Sequence, residues 1–292
     1  MSDAPRAIGV TGASGFVGRH LVAHLAARGH RVVAFQRGAQ LAPAGITVRP
    51  FTLPDGIDPA HFAGLDAVVH GALVEYGPAH RDADAINREG ARRVVAAAHA
   101  AGARAIFLST LSAHADARSH YGINKLELES LFAEPRDAVL RLGLVLGNGG
   151  LFGSIVDVLK SSRVVPLPDG GRQPIQTLWM GDLCAAVDHV LDAGTGGRFD
   201  VADPTVHTMR GLYETIMRGL GVHPALVPVP LSLVHAGVTV LEALRVPFPI
   251  RAENTLGLKH LRAFDTAPSM RALGIEHPVP LEEAVRRLLA RP

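Results

Sequence analysis

The chain has 292 residues, of which 48% are apolar and 19% charged, a balance that excludes a disordered protein and allows a substantial core. Net charge is only +2 and the arginines are spread along the chain, which excludes the concentrated basic face of a nucleic-acid binder despite a pI near 9.0. The single cysteine, Cys184, excludes an internal disulfide and reads as a small core residue in the apolar run DLCAAVDHVL.

Residues 7–10 form an apolar strand that runs directly into TGASGFVG (11–18), and residues 16–29 then read as a helix ended by Gly29. A turn of this kind offers backbone N–H groups and a positive helix end to a pyrophosphate. Gly12 supplies the tight turn, Gly15 close approach of the ligand and Gly18 close helix–strand packing. Gly12, Ser14, Gly15, Phe16, Val17 and Gly18 are therefore candidate cofactor contacts. A second apolar strand at 31–35 completes the first βαβ unit of a dinucleotide-binding fold. No basic-then-apolar leader precedes the first strand, so the expected location is cytoplasmic.

The residues after the second strand bear on the choice of dinucleotide. An acid about twenty residues past the glycines bonds the ribose hydroxyls of NAD, whereas an arginine meets the 2′-phosphate of NADP. Here the span offers Gln36 and Arg37, with no acid before Asp55. The guanidinium of Arg37 presents a fork of donors to a phosphate, so NADP(H) is the expected cofactor and NAD(H) the alternative.

Further strands are expected at 45–49, at 65–71 and at 104–109, with a Pro/Gly/Asp-rich loop at 50–59. The second of these ends in Gly71 and Ala72, small enough for a flat ring or ribose to pass close to the backbone. An alanine-rich helix covers 84–101 and ends at Gly102. Thr110, Ser112 and His114 lie just beyond the strand at 104–109, a helix follows at 121–131 and a strand at 138–142. This alternation predicts an α/β fold, a Rossmann-type doubly wound parallel sheet whose functional groups gather outside the carboxyl ends of its strands.

From Gly143 the rhythm loosens. Gly147, Gly149 and Gly150 predict a flexible turn, 151–159 a helix, 166–174 a Pro/Gly loop and 182–191 a helix. A strand is expected at 198–201, a helix at 209–220 and an amphipathic helix at 281–289. We expect residues 1–170, with parts of 175–203, to form the dinucleotide-binding domain. A smaller, partly discontinuous substrate-covering region is expected from 204–292, with contributions from 143–180. The apolar stretch 226–250 is interrupted by Pro228, Pro230, His235, Glu242, Arg245, Pro247 and Pro249, which argues against a transmembrane segment. A helix over 231–244 has so little polar surface that it must be covered, by the core first, otherwise by the partner in a homo-oligomer or by peripheral contact with a membrane surface.

Tyr121 and Lys125 are four apart on one helix, on the same face, in a chain with three tyrosines and three lysines. A phenol with a pKa near 10 is a poor acid or base at neutral pH, and a neighbouring ammonium favours the phenolate and lowers that value. Lys125 can also hold a nicotinamide ribose while Tyr121 exchanges a proton with a small-molecule alcohol or carbonyl substrate. A hydroxyl from Thr110 or Ser112 orients the same oxygen. His20 and His24 share a helix face but lack an acidic ligand beside them, so no metal site is expected.

The ordered set TGASGFVG (11–18), DAVVHGA (66–72), NREG (87–90), FLST (107–110), YGINK (121–125), LRLGLVLG (140–147) and GDLCAA (181–186) resembles the extended or atypical short-chain dehydrogenases/reductases. That NAD(P)-dependent group includes epimerases and dehydratases, and the likeness covers nearly the whole chain. It implies hydride transfer between the cofactor and a secondary alcohol or ketone, alone or as the first step of epimerisation or dehydration. It also implies roles for individual residues. Gly12, Gly15 and Gly18 cradle the phosphates, Arg37 reads the 2′-phosphate, Ala72 borders the cofactor and Asn87 supports the active-site helix. Tyr121 is the acid/base with Lys125 its partner, and Thr110 occupies the substrate-orienting position, with Ser112 as substitute.

Two departures stand out. Nucleotide-sugar members carry an arginine seven residues before the aspartate corresponding to Asp182, where this chain has Ile175, with Arg172 three residues early. The acid often found near the adenine is missing around Phe51 and Thr52. FLSTLSA (107–113) and GRQPIQTLWMGDL (171–183) most resemble the branch related to the accessory NADPH-binding subunit of respiratory complex I, in which several members have lost the catalytic Ser or Thr. Thr110 and Tyr121 are retained here, so an active enzyme is expected, with a non-catalytic NADPH-binding scaffold or assembly protein as the alternative.

Overall fold

The apolar runs up to Leu142 become parallel strands, because a sheet covered by helices on both faces has no wet side to impose alternation. The computed structural model describes residues 4–38, 45–75, 82–243 and 252–290. In chain order they form β1 (Ala7–Thr11), α1 (Phe16–Ala27), β2 (Arg31–Gln36), β3 (Ile46–Pro50), β4 (Ala67–His70), α2 (Ala83–Ala100), β5 (Arg104–Thr110), α3 (His120–Glu129) and β6 (Ala138–Leu142). There follow β7 (Leu144–Leu146), α4 (Gly150–Ser161), β8 (Val164–Pro168), β9 (Pro174–Ile175), β10 (Thr177–Trp179), α5 (Met180–Ala193) and β11 (Gly197–Val201). The remainder is β12 (His207–Thr208), α6 (Met209–Leu220), β13 (Ala225–Val229), α7 (Leu231–Ala243), α8 (Ala252–Lys259), α9 (Ala267–Ala272) and α10 (Leu281–Leu289).

Seven parallel strands make the main sheet in the order β11-β6-β5-β4-β1-β2-β3. The winding reverses between β1 and β4, so the ligand crevice of such a sheet lies outside their carboxyl ends. Leu21 and Leu25 of α1, with Leu183 and Val187 of α5, cover one face over Ile8, Val10 and Ile106. Val94 and Ala98 of α2, with Leu128 of α3, cover the other over Val33, Val68 and Phe107. A third core joins α4, α6 and α10 through Phe152, Leu159, Leu212, Ile216, Leu281 and Val285. Since β11 returns to the main sheet after α4 has begun that third core, the smaller substrate-covering region is discontinuous in sequence.

Three expectations need correction. The glycines at 147, 149 and 150 do not make a free turn: a Cβ on any of them would come within 3 Å of the Phe16 ring or the Arg19 guanidinium. Their lack of side chains is what lets the turn close over the start of α1, where Arg19 also donates to the Asn148 carbonyl (2.6 Å). The proline-rich stretches around 166 and 228 are the parallel ribbon β8–β13, because a two-stranded ribbon leaves outer edges on which proline loses no ladder bond. Finally, α7 is not core. It packs against α8 and buries Leu231 and Val238, but leaves Leu233 62% and Val240 57% exposed; Leu244 lies outside the described residues. Among the described residues no helix is long and apolar enough to cross a membrane.

Candidate active site

At the carboxyl end of β1 the chain turns at Gly12 with φ +71°, where an added Cβ would lie 2.9 Å from the Ala72 nitrogen. Gly15 N–H donates to the Gly12 carbonyl (2.9 Å), and a Cβ on Gly18 would stand 2.1 Å from that same oxygen. Glycine is therefore required twice by backbone contact alone. Ser14 and Gly15 are exposed, Phe16 and Val17 half-buried, and α1 begins with no side-chain hydrogen bond at its cap, leaving first-turn N–H groups for a ligand. This cradle fits a dinucleotide pyrophosphate. Ala13 N–H reaches the Phe35 carbonyl (3.3 Å), which sets the turn beside the end of β2, where buried Gln36 is followed by exposed Arg37.

Thr11 ties this turn to β4. Its hydroxyl oxygen accepts from Gly71 N–H and Ala72 N–H (both 3.2 Å), so its own O–H is left to donate to His70 Nδ1 (2.7 Å). Burial, and then the Lys125 charge, push His70 down to about 3, so it stays neutral. Thr11 and His70 are functional neighbours that sequence reasoning misses, although both stand within the motifs TGASGFVG and DAVVHGA. Asn87 holds the chain just beyond: its side chain accepts from Val74 N–H (2.8 Å) and donates to the Val74 carbonyl (3.0 Å). Its bonds therefore go to the segment after β4, and not to the active-site helix that the resemblance implied.

The start of α3 is set by Ser119, whose hydroxyl accepts from Gly122 N–H (3.1 Å), a capping arrangement one residue earlier than the expected start. Gly122 is needed because a Cβ there would lie 2.5 Å from the Ser112 carbonyl. These contacts bring Tyr121 to the end of β5 beside the Thr110 hydroxyl, which accepts from Ser112 N–H (3.2 Å). Of the two candidate hydroxyls, Thr110 is thus the one against Tyr121, and Ser112 contributes its backbone.

Lys125 is 4% exposed; its Nζ donates to the Leu108 carbonyl (2.7 Å) and lies 4.4 Å from the centroid of the Phe107 ring. Burial draws it from 10.5 down to about 7, against the opposing charge of Glu129. Tyr121 is raised by burial, with the Thr110 hydroxyl drawing it partway back. The lowering expected from Lys125 is absent because the ammonium is directed at the β5 backbone and burial dominates. Ile175 pairs with His207 between β9 and β12, and Arg172 is exposed. His20 donates to the Phe16 carbonyl (2.7 Å) and His24 to Asp188 (2.7 Å).

A glycine cradle at the switch point, with a Thr–Tyr pair and a buried lysine at the next strand end, defines a dinucleotide-binding enzyme of Rossmann type. Residues 8–202 match the NAD dependent epimerase/dehydratase family, and the chain belongs to it. That family is one of NAD-dependent epimerases and dehydratases.

Among relatives, the chain is 30% identical over 156 residues to the ceramide reductase of Caulobacter vibrioides, a match covering 51% of this chain and 49% of the relative. It thus spans about half the length of that protein. It is 26% identical over 277 residues to the mitochondrial NADH dehydrogenase (ubiquinone) 1 alpha subcomplex subunit 9 of Arabidopsis thaliana, covering 88% and 69%. Its fold is similar to that of the human epimerase family protein SDR39U1 with NADPH (TM-score 0.75, 18% identity, 98% of this chain and 100% of that one). Other solved structures of this fold are complexes with NAD.

Proposed function

We propose that the chain is an NADP(H)-dependent reductase or dehydrogenase acting on a secondary alcohol or ketone, with Tyr121 as acid/base, Thr110 orienting the reacting oxygen and Lys125 holding the nicotinamide ribose. The observation that carries this reading is Tyr121 set at the end of β5 beside the Thr110 hydroxyl, with buried Lys125 one helical turn away. Gly12, Ser14, Gly15, Phe16, Val17 and Gly18 hold the pyrophosphate, Gly71 and Ala72 border the cofactor, and Arg37 reads the 2′-phosphate. The bound dinucleotide supplies or takes the hydride. Tyr121 gives or takes the proton at the substrate oxygen, and Thr110 fixes that oxygen by a bond that strengthens as charge develops on it. Ile175 in place of an arginine supports a substrate without a nucleotide diphosphate.

A second reading, a dinucleotide-binding scaffold or assembly protein of the complex I-related branch, is favoured by the likeness to the Arabidopsis subunit over 88% of this chain. The retained Thr110, Tyr121 and Lys125 favour the enzyme. The two separate in one experiment: NADPH consumption against a panel of ketones and hydroxyketones by wild type and Tyr121→Phe. The enzyme reading expects turnover in the wild type and a fall of about a hundredfold or more in the variant, with NADPH affinity unchanged by calorimetry. Tight NADPH binding with no carbonyl reduced, or equal turnover in both proteins, overturns it.

A further inference from the structure

We propose that Glu129 is a positioning residue for Lys125: its carboxylate, locked against β5 and β6, keeps the ammonium charged and in place beside Tyr121. The inference rests on the reading of Lys125 given above. Tyr121, Lys125 and Glu129 recur every four residues and form one stripe of α3. Glu129 is 7% exposed, where an unpaired carboxylate is costly, and every bond it makes fixes it to the sheet. It accepts from the Ser109 hydroxyl (2.7 Å) and, as a fork, from Arg141 Nε (2.8 Å) and Nη2 (2.7 Å). Arg198 stands at 3.5 Å.

Ser109 adjoins Leu108, whose carbonyl takes the Lys125 ammonium. Two charges of α3 therefore dock on successive residues of β5, and the register that seats Glu129 also seats Lys125.

The groups facing Lys125 make Glu129 decisive. His70 on β4 is neutral, stacked on the same Phe107 ring that lies beside Lys125. Tyr121 is a phenol held up by burial. Arg141 on β6 is paired with Glu129 and lies 4.0 Å from Asp200. Among the described residues Glu129 is the carboxylate whose charge favours the protonated lysine, and burial opposes it. Without that charge an ammonium against an aromatic wall keeps one carbonyl bond, and a neutral amine can neither support a phenolate nor donate as strongly to a ribose.

The chain has three lysines, Lys125, Lys160 and Lys259, so the Lys125 titration can be read in protein carrying 13Cε-labelled lysine, with Lys125→Met to assign the signal. The expected wild-type midpoint is near neutral. Glu129→Gln lowers it by about one pH unit or more, a tenfold loss of proton affinity, while Lys160 and Lys259 do not move. Glu129→Asp, which keeps a carboxylate drawn back toward the helix, gives a smaller shift the same way and serves as the readout if the Gln variant fails to fold. The alkaline limb of NADPH-dependent turnover moves with the midpoint. An unmoved midpoint with only a lowered Tm makes Glu129 a structural clamp and overturns the proposal. A shifted midpoint in a protein that reduces no carbonyl leaves the proposal standing and sinks the enzyme reading instead.

Discussion

From β1 to β6 the chain lays down parallel strands of one sheet, buried on both faces in its interior, with α1, α2 and α3 packed on them; beyond Leu142, apart from α5, β11 and α9, which join that sheet and its core, it builds ribbons of two to five residues and helices that share a smaller core. Glycine marks the contrast. Gly12 and Gly18 stand where a side chain would strike backbone, whereas an added Cβ at Gly153 of α4 or Gly237 of α7 meets nothing within 4 Å. At Gly12 and Gly18 the dinucleotide turn has no slack, whereas at Gly153 and Gly237 the later helices have room. The dinucleotide turn should accordingly resist change and those helices tolerate it.

The largest expected effect is at Gly18. In Gly18→Ala the new Cβ must push against the Gly12 carbonyl at 2.1 Å and the Ala13 Cα at 2.9 Å, and backbone gives way less readily than a side chain. Overpacking of this kind costs about 3 kcal/mol or more, which lowers Tm by roughly 6 °C or more, and dinucleotide affinity falls with it. Thermal melting and calorimetry check both, and an unchanged Tm would break the contrast.

Next is Lys125→Met, which tests how far the site departs from the well-packed sheet around it. A lysine drawn from 10.5 down to about 7 by burial is a cost to the fold. That cost is complete below about 7, where folded and unfolded chains both hold the proton. It fades as pH rises toward 10.5, because only the unfolded chain is then still protonated. Even two units correspond to about 2.7 kcal/mol, so Lys125→Met should melt higher than wild type at pH 6, by a margin that narrows at pH 9, while binding the dinucleotide more weakly. A constant margin would mean that Lys125 titrates normally.

How much of this was legible follows from the same contrast. Buried parallel strands announce themselves as apolar runs, so β1, β2, β4, β5 and β6 are read directly, and β11 is legible in the short stretch 198–201. Ribbons such as β9–β12, two residues on each side, leave no periodicity, and Pro166 and Pro228 hide β8–β13. In the site, Tyr121 and Lys125 were visible from spacing alone. Glu129 extends the same stripe and could have been found by asking what stands one turn further on. The upward shift of Tyr121 and the docking of Lys125 on Leu108 were not legible, since they depend on burial and on which carbonyl the ammonium meets.

A smaller effect, about tenfold, is expected at Arg37, which is exposed beside the glycine turn. Its guanidinium can form charge-assisted bonds to a 2′-phosphate worth about 1.5–3 kcal/mol each, and 1.4 kcal/mol is a factor of ten. Calorimetry should therefore find NADPH bound about tenfold more tightly than NADH, and Arg37→Ala should erase the difference by weakening NADPH alone. Equal affinities in the wild type, or a preference surviving the substitution, would leave Arg37 a solvated surface residue.

The smallest effect should have the opposite sign. Gly237 lies inside α7, exposed, with no atom within 4 Å of the place an alanine methyl would take, and glycine inside a helix costs roughly 0.5–1 kcal/mol relative to alanine. Gly237→Ala should therefore stabilise α7 by about that amount. Because α7 packs mainly on α8 and leaves Leu233 and Val240 exposed, the gain should appear as slower hydrogen exchange of the α7 amides, with little change in the global Tm. Gly18→Ala and Gly237→Ala are the same chemical change, and they should move stability in opposite directions because one site faces a carbonyl and the other faces solvent. If Gly237→Ala instead speeds exchange in α7, some surface approaches Gly237 closely in solution. Leu233 and Val240, one turn to either side, would then be the residues that surface covers, and sedimentation of wild type against variant would tell whether it belongs to a second copy of the chain.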